Sequence, residues 1–568
     1  MSILRFINVK DIVPRLVELF PKRDINGKLS YGYSLANFGK DSLSGIIVGI
    51  IALPLAMGFS IAANGTPAQG LYTAIIAGFF ISALGGSRFQ IGGPTGAFVV
   101  IIYDIVRRNG TEGLIAATIL AGIMLVLMGL FGLGKFIKYI PYPVTTGFTT
   151  GIGVLIFSQQ IKDFFGLDIE NSSPDFIHKW IEHFTNANTI DIATLVIGAG
   201  TLLIIILMRR FFRRIPAAVV AVLFATLAAY FLSLPVETIQ SRFGGIPAGL
   251  PVPHIPLIGW SVIADVFPDA LTIALLAAIE SLLSAVVADG MTGDRHNSNT
   301  ELIAQGVGNV AAGIFGGIPA TGAIARTAAN IKSGAVSPVS GIVHSATLVL
   351  FILFLAPAAS IIPLASLSAV LIIVSWDMSN VGRFIRIIKT APKSDTAILI
   401  TTCLLTILFN LTFAVEVGVL LAVFLFLRRM IEIAEIKLTN DDIIAELAYG
   451  NIEKNTKESI RALYKKDIEI YDITGPFFFG VADMLQNILL HLPKATRKII
   501  LRMHEVPAID STGIAALESF LLNCQKKKIR LILTEIREQP KKALKKAGFI
   551  DALGHENTIE TLEEAVES

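Results

Sequence analysis

Apolar residues in this chain come in runs long enough to cross a bilayer, such as Gly113 to Leu133, Ile190 to Met208, Ile215 to Leu232 and Val339 to Ala356. About fourteen such segments, several of them short, lie between roughly residues 41 and 430. The first runs from Asp41 to Ala62 and, with no cleavable leader evident before it, is expected to act as the targeting signal; residues 1–40 read as a cytosolic lead-in. Two interruptions break the pattern. GGPTGA (Gly92 to Ala97) and GGIPATGA (Gly316 to Ala323) put Gly, Pro and Thr where a helix would otherwise continue, and a short helix-compatible stretch follows each. Two broken helices in corresponding halves of a membrane protein point to a transport site near the midplane.

After Arg429 the spanning pattern stops. Residues 440–568 read as a small cytosolic α/β domain. Strands are expected in DIEIYDITGPFFFG, Lys498 to Val506 and Ile529 to Ile536, and helices over Val481 to Leu492, Ile514 to Cys524 and Lys541 to Ala547. The membrane part, 41–430, is oriented by its basic loops: Arg209, Arg210, Arg213 and Arg214 in one, Arg383, Arg386 and Lys389 in another, and Arg428 and Arg429 after the last run. With both chain ends inside, all three fall on the cytoplasmic side, while Asp163 to Asp191 and Leu234 to Trp260 fall outside.

Composition agrees: 53% of residues are hydrophobic and 16% charged, against about a quarter charged in soluble proteins. Mean hydropathy is +0.68. Cys403 and Cys524 suggest no disulfide framework. No Walker motif, zinc-ligand spacing or nucleophile constellation is present. An enzyme is therefore not expected, nor a cofactor or a nucleic-acid partner, and the energy for transport must come from an ion gradient.

Half-helices that begin in mid-membrane leave their first N–H groups unpaired, and those groups and the helix dipole attract negative charge. Arg326 lies about one turn into the second half-helix. An arginine in a membrane costs roughly 2.5–3.5 kcal/mol on insertion scales, so it faces a cavity or a partner. It either binds an anion or makes a structural pair. Glu280 lies roughly 14–16 Å along its helix from Asp269 and from Asp289, near the bilayer centre. It is a coupling-ion site, a proton carrier, or the structural partner of Arg326. Ser284, four residues on, shares its face. Met57 and Phe59 are either an apolar wall of the site or plain helix packing.

The segments ALPLAMGFSIAANGTPAQGLYTA (Ala52 to Ala74), ESLLSAVVADGMTGDRHNSNTELIAQGVGN (Glu280 to Asn309) and GGIPATGAIARTAAN (Gly316 to Asn330) resemble the sulfate permease family of anion transporters. The resemblance implies a polytopic α-helical fold of seven plus seven inverted repeats, with the core and gate domains also found in uracil-permease-like carriers, moving substrate by an elevator-like motion. It assigns the anion site to Leu55, Phe59, Thr95, Gly96, Ala97, Ala323, Ile324, Ala325 and Arg326, and the coupling position to Glu280 with Ser284. Ile324 stands where sodium-dependent members often carry a hydroxyl, which favours proton over sodium symport. Ala323 and Ala325 stand where members that bind small inorganic anions use serines. The overall texture resembles bacterial dicarboxylate-carrying members, which implies an organic dicarboxylate of the succinate, fumarate or aspartate type as substrate, with sulfate or bicarbonate as the alternative. The tail resembles the STAS domain through VPAIDSTGIAAL (Val506 to Leu517). That implies regulatory phosphorylation at Thr512 or Ser511, the bland reading being that these hydroxyls cap a helix. The family implies a homodimer in the cell membrane, and a soluble partner of the STAS domain is conceivable. Three other functions fit part of the pattern: a nucleobase carrier, which would not need Arg326; a membrane-anchored STAS signalling receptor; and a passive anion channel, which would not need Glu280.

Overall fold

The computed structural model describes residues 13–19, 22–23, 29–30, 33–135, 141–169, 173, 175–212, 216–254, 259–409, 411–433, 435–438, 467–478 and 481–568. Arg213, Arg214 and Ile215 lie outside the described residues. The chain divides into two compact units, Met1–Ala422 and Val423–Ser568.

In the first unit, the first half supplies α1 (Leu35–Ala62), α2 (Pro67–Leu84), α3 (Val99–Leu130), α4 (Tyr142–Phe165), α5 (Phe176–Thr185), α6 (Ile192–Phe211) and α7 (Ala217–Phe231). A short helix, α8 (Ile239–Phe243), precedes the second half. That half supplies α9 (Trp260–Thr292), α10 (Ser298–Ile314), α11 (Ile324–Lys332), α12 (Val339–Ser360), α13 (Leu364–Ser379), α14 (Val381–Thr390), α15 (Lys393–Leu408) and α16 (Leu411–Ile433). Among the described residues seven helices are long and apolar enough to cross a membrane unaided. Local chemistry sets several of the ends. Ser34 caps α1, a Thr66/Gln69 capping box with Pro67 opens α2, Asn297 caps α10, and Gly166 closes α4 in the left-handed region. Gly110, at φ 65°, bends α3, so that a half-helix and a full span are joined in one element.

Two groups of helices form. One contains α1, α2, α3, α9, α10, α11 and α12; the other contains α4, α6, α7, α13 and α15. Each draws on both halves of the chain, consistent with the seven-plus-seven core and gate arrangement.

The joint between the halves is a two-stranded antiparallel ribbon inside the core group. β1 (Gly92–Gly93) pairs with β2 (Thr321–Gly322), Gly92 opposite Gly322 and Gly93 opposite Thr321. The backbone leading into and out of the ribbon is non-helical and buried, so its polar groups need partners. Side chains supply them. Asn309 accepts from Ala320 N and donates to Ala320 O, both at 2.8 Å. Thr73 accepts from Ile318 N at 2.7 Å, and Thr327 accepts from Ile91 N at 3.2 Å. Gln90 donates to Ser281 O at 3.1 Å and Thr321 to Ala277 O at 2.9 Å, which ties the ribbon to α9.

In the second unit a five-stranded sheet runs β3 (Glu435–Leu438), β4 (Ile468–Thr474), β5 (Lys498–Glu505), β6 (Arg530–Thr534), β7 (Thr558–Ile559). The first pair is antiparallel and the rest are parallel. Side-chain alternation divides the strands between two faces. Leu501 and Leu533 pack with Phe477, Leu517 and Phe520, while Ile470, Ile500 and Ile532 pack with Leu562 and Ala565. The helices are α17 (Val481–His491), α18 (Ser511–Lys526), α19 (Glu538–Lys546), α20 (Phe549–Leu553) and α21 (Leu562–Glu567). The sheet starts at Glu435, ahead of the expected start at residue 440, because β3 lies beside β4 as an edge strand.

Asn309 carries a prediction. Asn309→Ala orphans both polar groups of Ala320 at a cost of about 1–3 kcal/mol each, so thermal unfolding of the detergent-solubilised protein should shift down by several degrees. An unchanged midpoint would show that the ribbon does not depend on this amide.

Candidate functional site

Beyond β1 the chain passes Pro94 into a tight turn, Gly96–Phe98, that runs on into α3; beyond β2 it enters α11 at once. Thr95 and Ala323 stand at the cap positions, and neither start receives a side-chain capping bond. Two helix N-termini therefore meet at the ribbon with their leading N–H groups uncapped by side chains, which is an arrangement for negative charge.

Arg326 lies in the first turn of α11 and is 3% exposed. Its Nη2 donates to Pro94 O, while Nη1 has no partner among the described residues. The guanidinium rests on Gly93, where a Cβ would meet Nη1 at 2.5 Å and push it aside; the φ of 150° at Gly93 independently favours glycine. Glu280 sits on α9, partly open, shares a side-chain hydrogen bond with Thr95 and lies within the field of Arg326. No ion pair within 4.0 Å joins Arg326 to Glu280. The site thus keeps one buried guanidinium with a free N–H edge, a carboxyl held by a threonine, and two dipole ends. It can bind a small anion and hold a proton beside it.

Other expected residues fall as follows. Gly96 and Ala97 are buried, and a Cβ on Gly96 would meet Ile156 at 2.8 Å, Met378 at 2.8 Å and Phe59 at 3.2 Å. Phe59 therefore walls the site as well as packing in the core. Leu55 is partly buried, against the cluster that holds Phe59 and against one under α6 and α7. Met57 does not join them: it packs on the opposite side, with α2 and α12. Ala323 is partly buried, and Ile324 (41% exposed) and Ala325 are exposed. Ser284 is fully buried and donates to Thr327 Oγ1 at 3.1 Å. That bond links α9 to α11.

The sequence reading did not single out Gly93, Gln90, Asn309, Thr327 or His344. The first four are small or polar residues inside apolar stretches, a signal that marks a position without naming its partner. His344 on α12 is fully buried near Arg326, and neither ring nitrogen has a partner among the described residues.

In the second unit, Ser511 and Thr512 are exposed at the start of α18. Neither caps it: Asp510 does, accepting from Gly513 N at 2.8 Å.

Comparison with known proteins matches residues 38–402 to the sulfate permease family and residues 459–565 to the STAS domain. A putative sulfate transporter of Bacillus subtilis, YvdB, is 41% identical over 93% of this chain and 97% of its own length. The bicarbonate transporter BicA of Picosynechococcus is 30% identical over 94% of each. Among solved structures, murine Slc26a9 in the inward-facing state superposes with TM-score 0.84 at 18% identity, covering 98% of this chain and 94% of that one, a likeness of fold. The transmembrane domain of a cyanobacterial BicA superposes at 0.60 with 30% identity, covering 69% and 98%.

Arg326→Ala is expected to weaken anion binding about a hundredfold or more while the protein stays folded. Gly93→Ala should weaken binding about tenfold or more by displacing the guanidinium. Equilibrium binding checked against size-exclusion profiles tests both, and wild-type affinity in Arg326→Ala would remove this residue from the site.

Proposed function

The chain belongs to the sulfate permease family of anion transporters, and on that premise we propose that it carries a small oxyanion of the sulfate or bicarbonate kind across the membrane together with a proton. The chain is a multi-pass membrane transporter and not an enzyme. The observation that carries the reading is the buried Arg326 with an unpartnered Nη1, set where two uncapped helix N-termini meet. An oxyanion presents several acceptor oxygens to such a donor set. The names of the two relatives point the same way.

Glu280 supplies the coupling logic. Ionised, it balances Arg326 and repels an arriving anion; protonated, it leaves the full positive field to the anion. Anion and proton then enter together, and neither alone is well held. Ile324 offers no side-chain oxygen to a sodium ion, which favours the proton. The apolar surface of Ile324 and Ala325 supports a second reading, an organic dicarboxylate whose carbon chain would lie there. In both readings the core group carries the site past the gate group. The N-terminus and STAS domain lie in the cytoplasm of a homodimer in the cell membrane, and the exposed Ser511 and Thr512 are open to regulatory phosphorylation.

Uptake of radiolabelled sulfate, bicarbonate and succinate into proteoliposomes under imposed proton or sodium gradients is the test. Sulfate or bicarbonate uptake driven by a proton gradient is expected; exclusive uptake of succinate would move the substrate to the second reading, and sodium dependence would remove the proton. Glu280→Gln should retain substrate binding and lose the response to the pH gradient. An unaltered pH response in that variant would exclude Glu280 from coupling.

A further inference from the structure

Helix α5, between α4 and α6, is amphipathic in reverse. Ile177, Ile181 and Phe184 fall on one face and are 56%, 53% and 72% exposed. Lys179 and His183, four residues apart on another face, are 6% and 4% exposed. The apolar side suits the acyl boundary of a bilayer, as in helices that lie in the interface. The polar side is turned into the protein, and there it costs energy unless something is gained.

What it meets is a gap in pairing. Lys179 Nζ lies 5.3 Å from the centroid of the Tyr103 ring on α3 and has no carboxylate within 4.0 Å among the described residues. Burial pulls its ammonium down to about 8, against the weaker opposing effects of Glu182 and Asp175. His183 Nε2 is 3.0 Å from Ser158 O on α4, which makes Nε2 the protonated nitrogen; among the described residues neither Nδ1 nor Ser158 Oγ has a partner. Lys162 and Arg107 add positive charge nearby, while Glu182 is engaged by the Ser173 N–H at 2.9 Å.

The place of this cluster matters. Tyr103 is seven residues beyond Gly96 on the helix that starts at the central site, about 10–12 Å along it. Ser158 is two residues beyond Ile156, which touches the Gly96 position. The two helices that flank the central site therefore also flank Lys179, roughly two turns farther toward the end that the loop charges place outside.

We propose that the buried face of α5, with Tyr103 of α3 and Ser158 of α4, is an outer capture site for the transported oxyanion. Lys179 supplies the charge and Ser158 Oγ a hydrogen bond, while His183, its Nε2–H held by Ser158 O, pins α5 against α4. The anion pauses there before reaching Arg326, and α5 holds the lysine out of the lipid while its apolar face fixes the helix at the membrane surface. The proposal rests on the anion-transport reading and on the orientation given above.

The two readings fail separately in one experiment, equilibrium binding of radiolabelled sulfate to the full-length purified protein. With the central site disabled by Arg326→Ala, weak saturable sulfate binding should remain, and adding Lys179→Met should remove it. Lys179→Met removes a buried charge with little change of volume, so the fold should persist; a thermal-unfolding curve checks this. Lys179→Arg in the Arg326→Ala background should restore the weak binding. In proteoliposomes, Lys179→Met alone should raise KM for external sulfate about tenfold with Vmax little changed. No residual binding in Arg326→Ala, or residual binding that survives Lys179→Met, overturns the outer site. Wild-type affinity in Arg326→Ala overturns the central one instead.

Discussion

Everything in the membrane unit depends on satisfying a stretch of buried backbone that stops being helical between two apolar runs. Each peptide group left orphaned in such a place would cost several kcal/mol. The ribbon of Gly92–Gly93 with Thr321–Gly322 meets part of the need, and Asn309, Thr73 and Thr327 meet the rest with side chains that mimic a missing neighbour strand. Glu301 extends the same solution toward the end of α2, accepting from Gly86 N at 2.9 Å and Ser87 N at 3.1 Å. Two helices can then begin where a membrane helix normally continues, and their first N–H groups are left over for a ligand.

The electrostatics follow from that backbone. Arg326 is held by Pro94 O, an acceptor on the opposite half of the chain, and lies in a notch that exists because Gly93 lacks a side chain. With one edge anchored and the other without a partner among the described residues, the guanidinium is pre-oriented, so little side-chain entropy would be lost on binding the proposed anion. Glu280 approaches from a third element and is steadied by Thr95. Charge, counter-charge and dipoles thus come from α11, α9 and α3, and no two of them could form the site alone.

Much of this was legible in the sequence. Gly-Pro-Thr breaks inside apolar runs have few explanations, and neither does a lone arginine or glutamate at mid-helix, so the broken helices, Arg326 and Glu280 were readable from local pattern. Partner choice was not. Nothing in the spacing of Ser284 says that its hydroxyl meets Thr327, and nothing in LPLAMGFSIA says that Phe59 faces Gly96 while Met57 faces α2 and α12; neighbours in the fold decide both. The reversed α5 is the sharpest case. Its periodicity is that of an ordinary surface helix, and only the surroundings reveal that its polar side is the buried one. In the tail, three side chains in a row could have capped α18, and the choice of Asp510 over Ser511 and Thr512 was set by backbone geometry.

The bond from Arg326 to Pro94 spans 232 residues of sequence. During synthesis the first half emerges with its glycine strand unpaired and its half-helix started, and the chain that completes both has yet to be made. For tens of seconds, at about 5–20 residues per second, the nascent protein must shelter a polar seam in a nonpolar surrounding. The insertion machinery or the already folded α1–α2 pair has to cover it. Lesions along the ribbon are therefore expected to lower the yield of inserted protein as well as the stability of what can be purified.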